Sequence, residues 1–379
     1  MSKVSLAQRF DHRLTLIGNN PERNRPHNRR AVLDLLRQKG RLGRMEISRY
    51  LNLSPQAIAN IVDDLVAEGF LVDVGRLRSG RGLPPIQYEL SGNGGVTIGL
   101  DVRASSVSYN IVDFCGTVRS EGRLPYGPHD FEHLKSALIK DLNDKTPSGV
   151  PLLGVGIISQ KYDEDESTKL RDSLATAFNV VPIWETASAS GVAAEHLHGA
   201  AKTERTFLYI DVNDQLSAGL LLDGKPYKGG KRLAGSIGHI VVEKNGRYCP
   251  CGQRGCFDAY GSLRALREIV FADPEADPDL AEVHSLHRSH DDRLAVWVAL
   301  AAEHFADQIT AFQCLLDLDL FVIGGALPAG LLNDLIQGVQ IRLSDKNIDA
   351  LVVPGRAGTF AGAWSAAAMP LLDMFTDLM

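Results

Sequence analysis

Cysteine is scarce: the 379-residue chain holds five. So few, three of them clustered, exclude the disulfide framework of small secreted domains. The two isolated ones, Cys115 and Cys314, are expected as small buried hydrophobes. No uninterrupted apolar run reaches membrane length, and no signal-peptide pattern is present, so the expected location is the cytoplasm, without membrane insertion. Internal repeats and low-complexity tracts are also lacking. What remains is ordinary for a globular protein, with 44% hydrophobic and 23% charged residues and length enough for two or three domains.

Charge is unevenly spread. Residues 1–90 carry 15 Lys and Arg against 9 Asp and Glu, about +6, while the whole chain is at −6, so the remainder carries about −12. A basic front end on an acidic body points to a polyanionic partner for the front end.

The front end has the pattern of a DNA reader. In HNRRAVLDLLRQKG, Ala31, Val32, Leu35 and Leu36 share a helical face, and Gly40 can end the helix. A second short helix follows, with Met45, Ile47, Tyr50 and Leu51 apolar. The third opens with Ser54 as N-cap and Pro55 at its first position. Ile58, Ile61, Val62, Leu65 and Val66 then form an amphipathic stripe, ended by Gly69. FLVDVG and IQYEL read as strands around the basic tip RLRSGRG, which gives a winged helix-turn-helix. Ser54, Gln56, Ala57 and Asn60 lie on the face expected to enter a major groove, where Gln and Asn can pair with adenine and Ser can hold phosphate. Arg76, Arg78 and Arg81 are placed to follow the backbone or a minor groove, and Arg44 is grouped with them. A helical domain used for protein contact is the plainer alternative.

After residue 90 the pattern turns to strands alternating with helices: VTIGLDV, VSYNIVDF, LLGVGII, TFLYIDV and LDLFVIGGAL, with ASGVAAEHLHGAA between. This implies a three-layer α/β body. One stretch stands out. His239, Cys249, Cys251 and Cys256 fall within GHIVVEKNGRYCPCGQRGC, and one imidazole with three thiolates suits tetrahedral Zn²⁺. Four protein ligands leave no open position to activate water, so such a site is structural.

AGSIGH followed by CPCGQRGCFDAYGS, together with the winged front end and SGRGLPP, resembles the ROK family (repressors, open reading frames and sugar kinases) in its repressor branch. The resemblance spans nearly the whole chain. It implies a two-lobed, actin- and sugar-kinase-like (ribonuclease H-like) body with a ligand cleft between the lobes. The expected layout is an arm at 1–26 and a winged helix-turn-helix domain at 27–90. The first lobe follows at 91–200, and the second, with the zinc site, at 201–379, its C-terminal helix able to return to the first lobe. The four metal positions match the family's zinc pattern one for one. The resemblance also places His239 against a sugar, one ring nitrogen on the metal and the other towards the cleft.

Against the family's kinases the chain has lost chemistry. The D-x-G-G-T phosphate loop reads DVRASS, keeping Asp101 but placing Arg103, Ala104 and Ser105 after Val102. The G-T-G-x-G loop reads NDQLSAG, with Asn213, Asp214, Gln215 and Ser217 where small residues are needed, and Asp214 repels phosphate. E-N-D-A reads ETAS: Glu185 stays, Thr186 replaces Asn, and Ala187, which cannot accept a proton, replaces the catalytic Asp. Ser236 stands for a sugar-binding Glu, and Asp258 for another. Glu185, Thr186, Ser236, His239 and Asp258 are therefore the expected ligand contacts, without a catalytic residue.

Elsewhere, HSLHRSHDD sets His284, His287 and His290 three apart and reads as a polar loop rather than a second metal site. The apolar helix RLAVWVALAAEHFADQITAF and the stretch FAGAWSAAAMPLL read as core or as a dimer surface. The expected protein is a cytoplasmic transcriptional repressor of carbohydrate-related genes. It binds an operator in double-stranded DNA as a homodimer or higher homo-oligomer, and a sugar or sugar derivative controls it. A regulator governed by a protein partner and an active ATP-dependent sugar kinase are the alternatives.

Overall fold

The computed structural model describes residues 25–76, 85–103, 105–127, 130–159, 164–230, 234–273, 280–358 and 360–375. All but two residues of the expected arm, and the wing tip with Arg78 and Arg81, lie outside the described residues.

Helix α1 (Arg25–Lys39) buries Ala31, Val32, Leu35 and Leu36. It stops at Gly40, whose φ of +77° is cheap only for glycine and lets its N–H donate to Leu36 O at 2.8 Å. Strand β1 (Leu42–Gly43) leads into α2 (Arg44–Leu51), where the Glu46 carboxylate accepts from Gly43 N at 2.7 Å. Helix α3 (Pro55–Ala67) starts as its sequence predicts, Ser54 Oγ accepting from Ala57 N at 3.2 Å. Strands β2 (Leu71–Arg76) and β3 (Ile86–Leu90) complete a small antiparallel sheet in the order β1-β3-β2. Of the expected apolar positions, Met45, Tyr50 and Val66 are exposed, because two buried apolar residues on α2 and four on α3 already fill the space beneath these short helices.

Two larger sheets follow. β4 (Val96–Val102), β5 (Ser106–Asp113) and β6 (Val118–Pro125) run antiparallel. After α4 (Phe131–Lys145), β7 (Leu152–Ser159) joins β4 in parallel. After α5 (Glu164–Phe178), β8 (Ile183–Glu185) joins β7, giving the order β6-β5-β4-β7-β8. Helix α6 (Ala187–Leu197) crosses to the second lobe. There β9 (Phe207–Val212), β10 (Leu216–Leu222) and β11 (Lys225–Pro226) are antiparallel. Helices α7 (Asp258–Gly261), α8 (Leu263–Phe271), α9 (Leu280–Arg288) and α10 (Asp292–Leu316) come next. β12 (Phe321–Gly325), α11 (Ala329–Asp345) and β13 (Val352–Ala357) close the sheet as β11-β10-β9-β12-β13. Both sheets thus use one strand pattern, three antiparallel strands extended by two parallel ones. The chain ends with α12 (Ala361–Ala368) and α13 (Leu372–Phe375).

Each sheet is covered on both faces. The first packs α4 and α5 on one side through Leu134, Leu138, Leu142, Leu170 and Leu174. On the other side lies α12, so close that a Cβ on Gly99 or Gly156 would stand 1.9 Å from the carbonyl of Ala363 or Ala366. The second sheet carries α10 and α11 on its outer face and α6 on its inner face. Helices α6 and α12 pack against each other between the two sheets. FAGAWSAAAMPLL is therefore core of the first lobe. Cys314 is exposed and Cys115 half-buried, contrary to expectation: Cys314 sits in the last turn of α10, beyond the end of the core. The stretch expected as a polar loop contributes instead to α9, where His287 Nε2 lies 2.7 Å from Asp334. No helix among the described residues is long and apolar enough to cross a membrane.

The head and the body share one core. Phe114 of the first lobe is fully buried, edge-on to Phe70 of the head (4.9 Å) and stacked on Phe375 of α13 (5.1 Å). Arg37 of α1 is buried beside them, paired with Asp34 at 2.6 Å. Its guanidinium donates to the carbonyls of His196, at the end of α6, and of Lys202. A buried charge persists only when paired and hydrogen-bonded, and Arg37 is both.

Candidate functional site

A cavity of about 930 Å³ opens between the two sheets. Its floor on the first-lobe side comes from the β4–β5 turn and from β5 and β6; on the second-lobe side it comes from the β9–β10 turn and the 234–239 loop. The N-terminal end of α6, with Thr186, Ala187 and Ser188, forms one wall. All five expected ligand contacts, Glu185, Thr186, Ser236, His239 and Asp258, line this one space.

Their hydrogen bonds differ. Glu185 Oε1 accepts from Lys228 Nζ across the cavity mouth at 2.7 Å. Thr186 caps α6, its hydroxyl accepting from Ala189 N at 3.2 Å. Asp258 Oδ1 accepts from Leu216 N at 2.6 Å, and its Oδ2 lies 3.8 Å from His239 Nδ1. Burial pushes the Asp258 carboxyl above its ordinary pKa. Gly238 is forced by this packing, since a Cβ there would stand 2.4 Å from Asp258 Oδ1.

At the kinase phosphate positions the space is occupied by charge. Arg103 bonds Asp101 Oδ2 through Nε (3.0 Å) and Nη2 (2.9 Å) and reaches Asn213 Oδ1 of the second lobe at 3.2 Å. Asn213 donates to Asp211 at 2.6 Å, and burial pushes Asp211 up to about 6. Asp214 pairs with Arg267 at 2.8 Å. Arg103 and Lys228 are thus two polar ties between the lobes. Sequence reasoning saw Arg103 only as a missing glycine and did not see Lys228 at all. Its position in GKPYKGG carries no signal, because its partner lies in the other lobe.

His239, Cys249, Cys251 and Cys256 converge as a group able to hold a metal ion, all four ligand atoms lying within 4.8 Å of one another. Cys251 Sγ is 3.7 Å from Cys256 Sγ, and Cys249 Sγ is 3.8 Å from His239 Nδ1. A disulfide needs roughly 2 Å. Ligands about 2.3 Å from a tetrahedral centre lie roughly 3.8 Å apart, so the spacing fits a bound ion. Burial, reinforced by the adjacent thiols, pushes Cys256 up to about 12. Three thiols this close do not ionise together without a cation between them.

On the head, Ser54, Gln56 and Asn60 are exposed along the first two turns of α3, and Ala57 is half-buried among them. Gln56 Nε2 donates to Asn60 Oδ1 at 3.0 Å, which preorients both amides on one outward strip. Ser54 Oγ is engaged as the cap, and Arg44 is held by Asp63 (2.6 Å) and the Tyr88 hydroxyl (3.0 Å). Arg76 is exposed at the base of the wing. Asn60→Ala is expected to weaken specific DNA binding by about 1–3 kcal/mol, with little change in stability. Unchanged affinity for a selected operator, measured at fixed salt, would remove Asn60 from the base-reading set.

A family model described as "ROK family" matches residues 136–371, more than half of the chain. The chain belongs to the ROK family. Among its ROK relatives, the xylose repressor of Bacillus subtilis (strain 168) is 24% identical over 257 residues, 63% of this chain and 66% of that repressor. The chain therefore spans just under two thirds of that relative's length. An N-acetylmannosamine kinase of Haemophilus influenzae (strain ATCC 51907 / DSM 11121 / KW20 / Rd) is 32% identical over 212 residues, 56% of this chain and 65% of the kinase. The fold matches a ROK family transcriptional regulator described as a homolog of the E. coli MLC protein, with a TM-score of 0.68 over 93% of this chain and 97% of that one at 16% identity. It also matches a ROK hexokinase from Thermus thermophilus, with a TM-score of 0.56 over 72% of this chain and 97% of the hexokinase at 23% identity.

Proposed function

We propose that this ROK protein is a DNA-binding transcriptional repressor of carbohydrate-related genes, whose body senses a sugar or sugar-like ligand and transfers no phosphoryl group. The observation that carries this is a head sharing one core with a body whose cavity Ala187 lines, in the place where the resemblance to the family's kinases implies a catalytic base. A phosphoryl-transfer site needs a group to take the hydroxyl proton and a loop open to phosphates. Here the first is a methyl group, and the second is filled by Arg103 and Asn213. The repressor relatives support the same role.

His239, Cys249, Cys251 and Cys256 would hold Zn²⁺ in a structural role. Bound there, the ion would supply only a rigid crosslink; His239, at the start of the 239–256 loop, lines the cavity, and Asp258 just beyond it is held by Leu216 N. The ligand is expected to draw hydroxyl contacts from Glu185, Ser236, His239 and Asp258 and to select one lobe closure. Helix α6 carries that choice to the DNA: its first turn lines the cavity, and its last residues hold Arg37 of the head. Two copies would present two heads to the half-sites of an operator.

A gel shift on genome-selected fragments, repeated across a sugar panel, tests this. A shifted fragment released by one compound is the expected result. Failure to select any fragment would remove the DNA-binding role. Tight binding that no compound releases would remove ligand sensing and direct attention to a protein partner. The kinase alternative is favoured by the 32% identity to an N-acetylmannosamine kinase. Against it, coupled ATP turnover is expected to show no sugar-dependent rate above background, N-acetylmannosamine included. Turnover with any sugar would overturn the non-catalytic assignment.

A further inference from the structure

Among the described residues, four Arg and Lys side chains line the cavity, and three already have a carboxylate. Arg103 pairs with Asp101, Arg267 with Asp214 and Lys228 with Glu185. The fourth, Arg123 of β6, is different. Its Nε donates to Ser106 Oγ at 3.1 Å, and its two terminal nitrogens have no partner among the described residues. The anchoring through Nε leaves the outer fork of the guanidinium available. Directly across the strand pair from Arg123 is Ser108, in register on β5. Ser108 is 3% exposed, faces the same cavity, and its hydroxyl has no hydrogen-bond partner among the described residues. The nearest acidic neighbour along β6, Glu121, is engaged by Asn110 at 3.3 Å.

A planar guanidinium held at Nε, beside a nearly buried hydroxyl, matches an oxyanion. The fork donates two parallel bonds and the serine a third. A neutral polyol placed there would strip water from the guanidinium without returning a charge-assisted bond, which costs affinity. The geometry points to an anion subsite at Arg123 and Ser108 on the first-lobe wall, so that the effector is a polyhydroxylated compound carrying a carboxylate or a phosphate. This rests on the ligand-sensing role proposed above and narrows the ligand class. Hydroxyls meet the Glu185, His239 and Asp258 side, and the acidic group meets Arg123.

The test uses the full chain and matched sets of probes: glucose, glucuronate and glucose 6-phosphate; galactose, galacturonate and galactose 6-phosphate; and inorganic phosphate alone. Calorimetric affinity and operator release are read for the wild type, R123Q and R123K. An acidic member is expected to bind at least roughly tenfold more tightly than its neutral parent, through the charge-assisted fork. R123Q should abolish that preference, R123K should restore part of it, and zinc content and operator affinity should stay unchanged. Preference for the uronates or for the phosphates identifies which acid the subsite takes. Neutral sugars that bind and release DNA as well as their acids would overturn the subsite and leave sensing intact. An acid preference that survives in R123Q would overturn it too. Binding of no sugar, neutral or acidic, would overturn both the subsite and the sensing role.

Discussion

Replacing Cys256 with serine is expected to strip the chain of zinc and lower its thermal midpoint by about 8 °C. Cys256 is fully buried, and its main chain bridges to Val241, so the thiolate and the loop closure come from one residue. Metal that binds only the folded form at a thousandfold excess over its Kd stabilises that form by about 4 kcal/mol. At roughly 2 °C per kcal/mol for a chain of this size, the shift follows. Elemental analysis and thermal unfolding of wild type and variant, both produced without chelator, check both halves. About one zinc per chain in the wild type and none in the variant is the expected outcome. A wild type without zinc, or a variant that keeps both metal and midpoint, would refute the structural site. His239→Ala is expected to lose the metal as well and, in addition, to blunt the response to effector, since His239 lines the cavity.

The second large effect is on acid stability, at the joint between head and body. His196 is buried beneath Arg37, and burial, with the Arg37 charge behind it, pushes its pKa down from 6.5 to about 3. The folded chain therefore refuses a proton that the unfolded chain accepts between pH 6.5 and about 3. The unfolded state binds more protons there, so stability falls as pH falls through that window, by about 1.4 kcal/mol per pH unit. Asp211 acts with the opposite sign: its folded pKa of about 6 exceeds the ordinary carboxylate value, so it gains stability as pH drops from about 6 to 4. The two partly cancel in the wild type, and the informative quantity is a difference. The stability advantage of wild type over His196→Gln is expected to shrink by on the order of 3 kcal/mol between pH 7 and pH 4, by urea unfolding at each pH. A difference that does not move with pH would show that His196 is not held neutral.

Much of this architecture was legible in the sequence where its causes are local. Ser54, Pro55, Gly40 and Gly69 mark helix ends within one turn of themselves, and the structure places the boundaries there. Three of the four candidate metal ligands fall within eight residues, so their convergence needs only a short loop. Glu185, His239 and Asp258 were findable because they sit in motifs. What was hidden depends on partners far along the chain. Arg37 in α1 looks like one more surface cation until its contacts with the His196 and Lys202 carbonyls are known. Phe70, Phe114 and Phe375 come from three distant segments, and nothing in any of them announces a stack. Arg123 alternates with apolar neighbours on an edge strand, as a solvated arginine would, and only the register with Ser108 gives it a site. Cys314 misled for the reverse reason: free cysteine is usually buried, but the helix outruns the core.

The position of the last two helices bears on how the chain is made. Translation delivers the head before the first sheet, that sheet before the second one, and α12 and α13 after both. Until they emerge, the inner face of the first sheet lacks its cover at Gly99 and Gly156, and Phe114 lacks Phe375. The nascent head cannot be locked to the body before α13 has emerged. A ribosome that stops just short of Ala361 would release a polypeptide with both sheets, all four candidate metal ligands and the head, yet without the layer between the first sheet and α6. Truncations in that stretch should therefore behave as null alleles, and an occasional stalled product should be a proteolytic substrate and not a stable, partly functional protein.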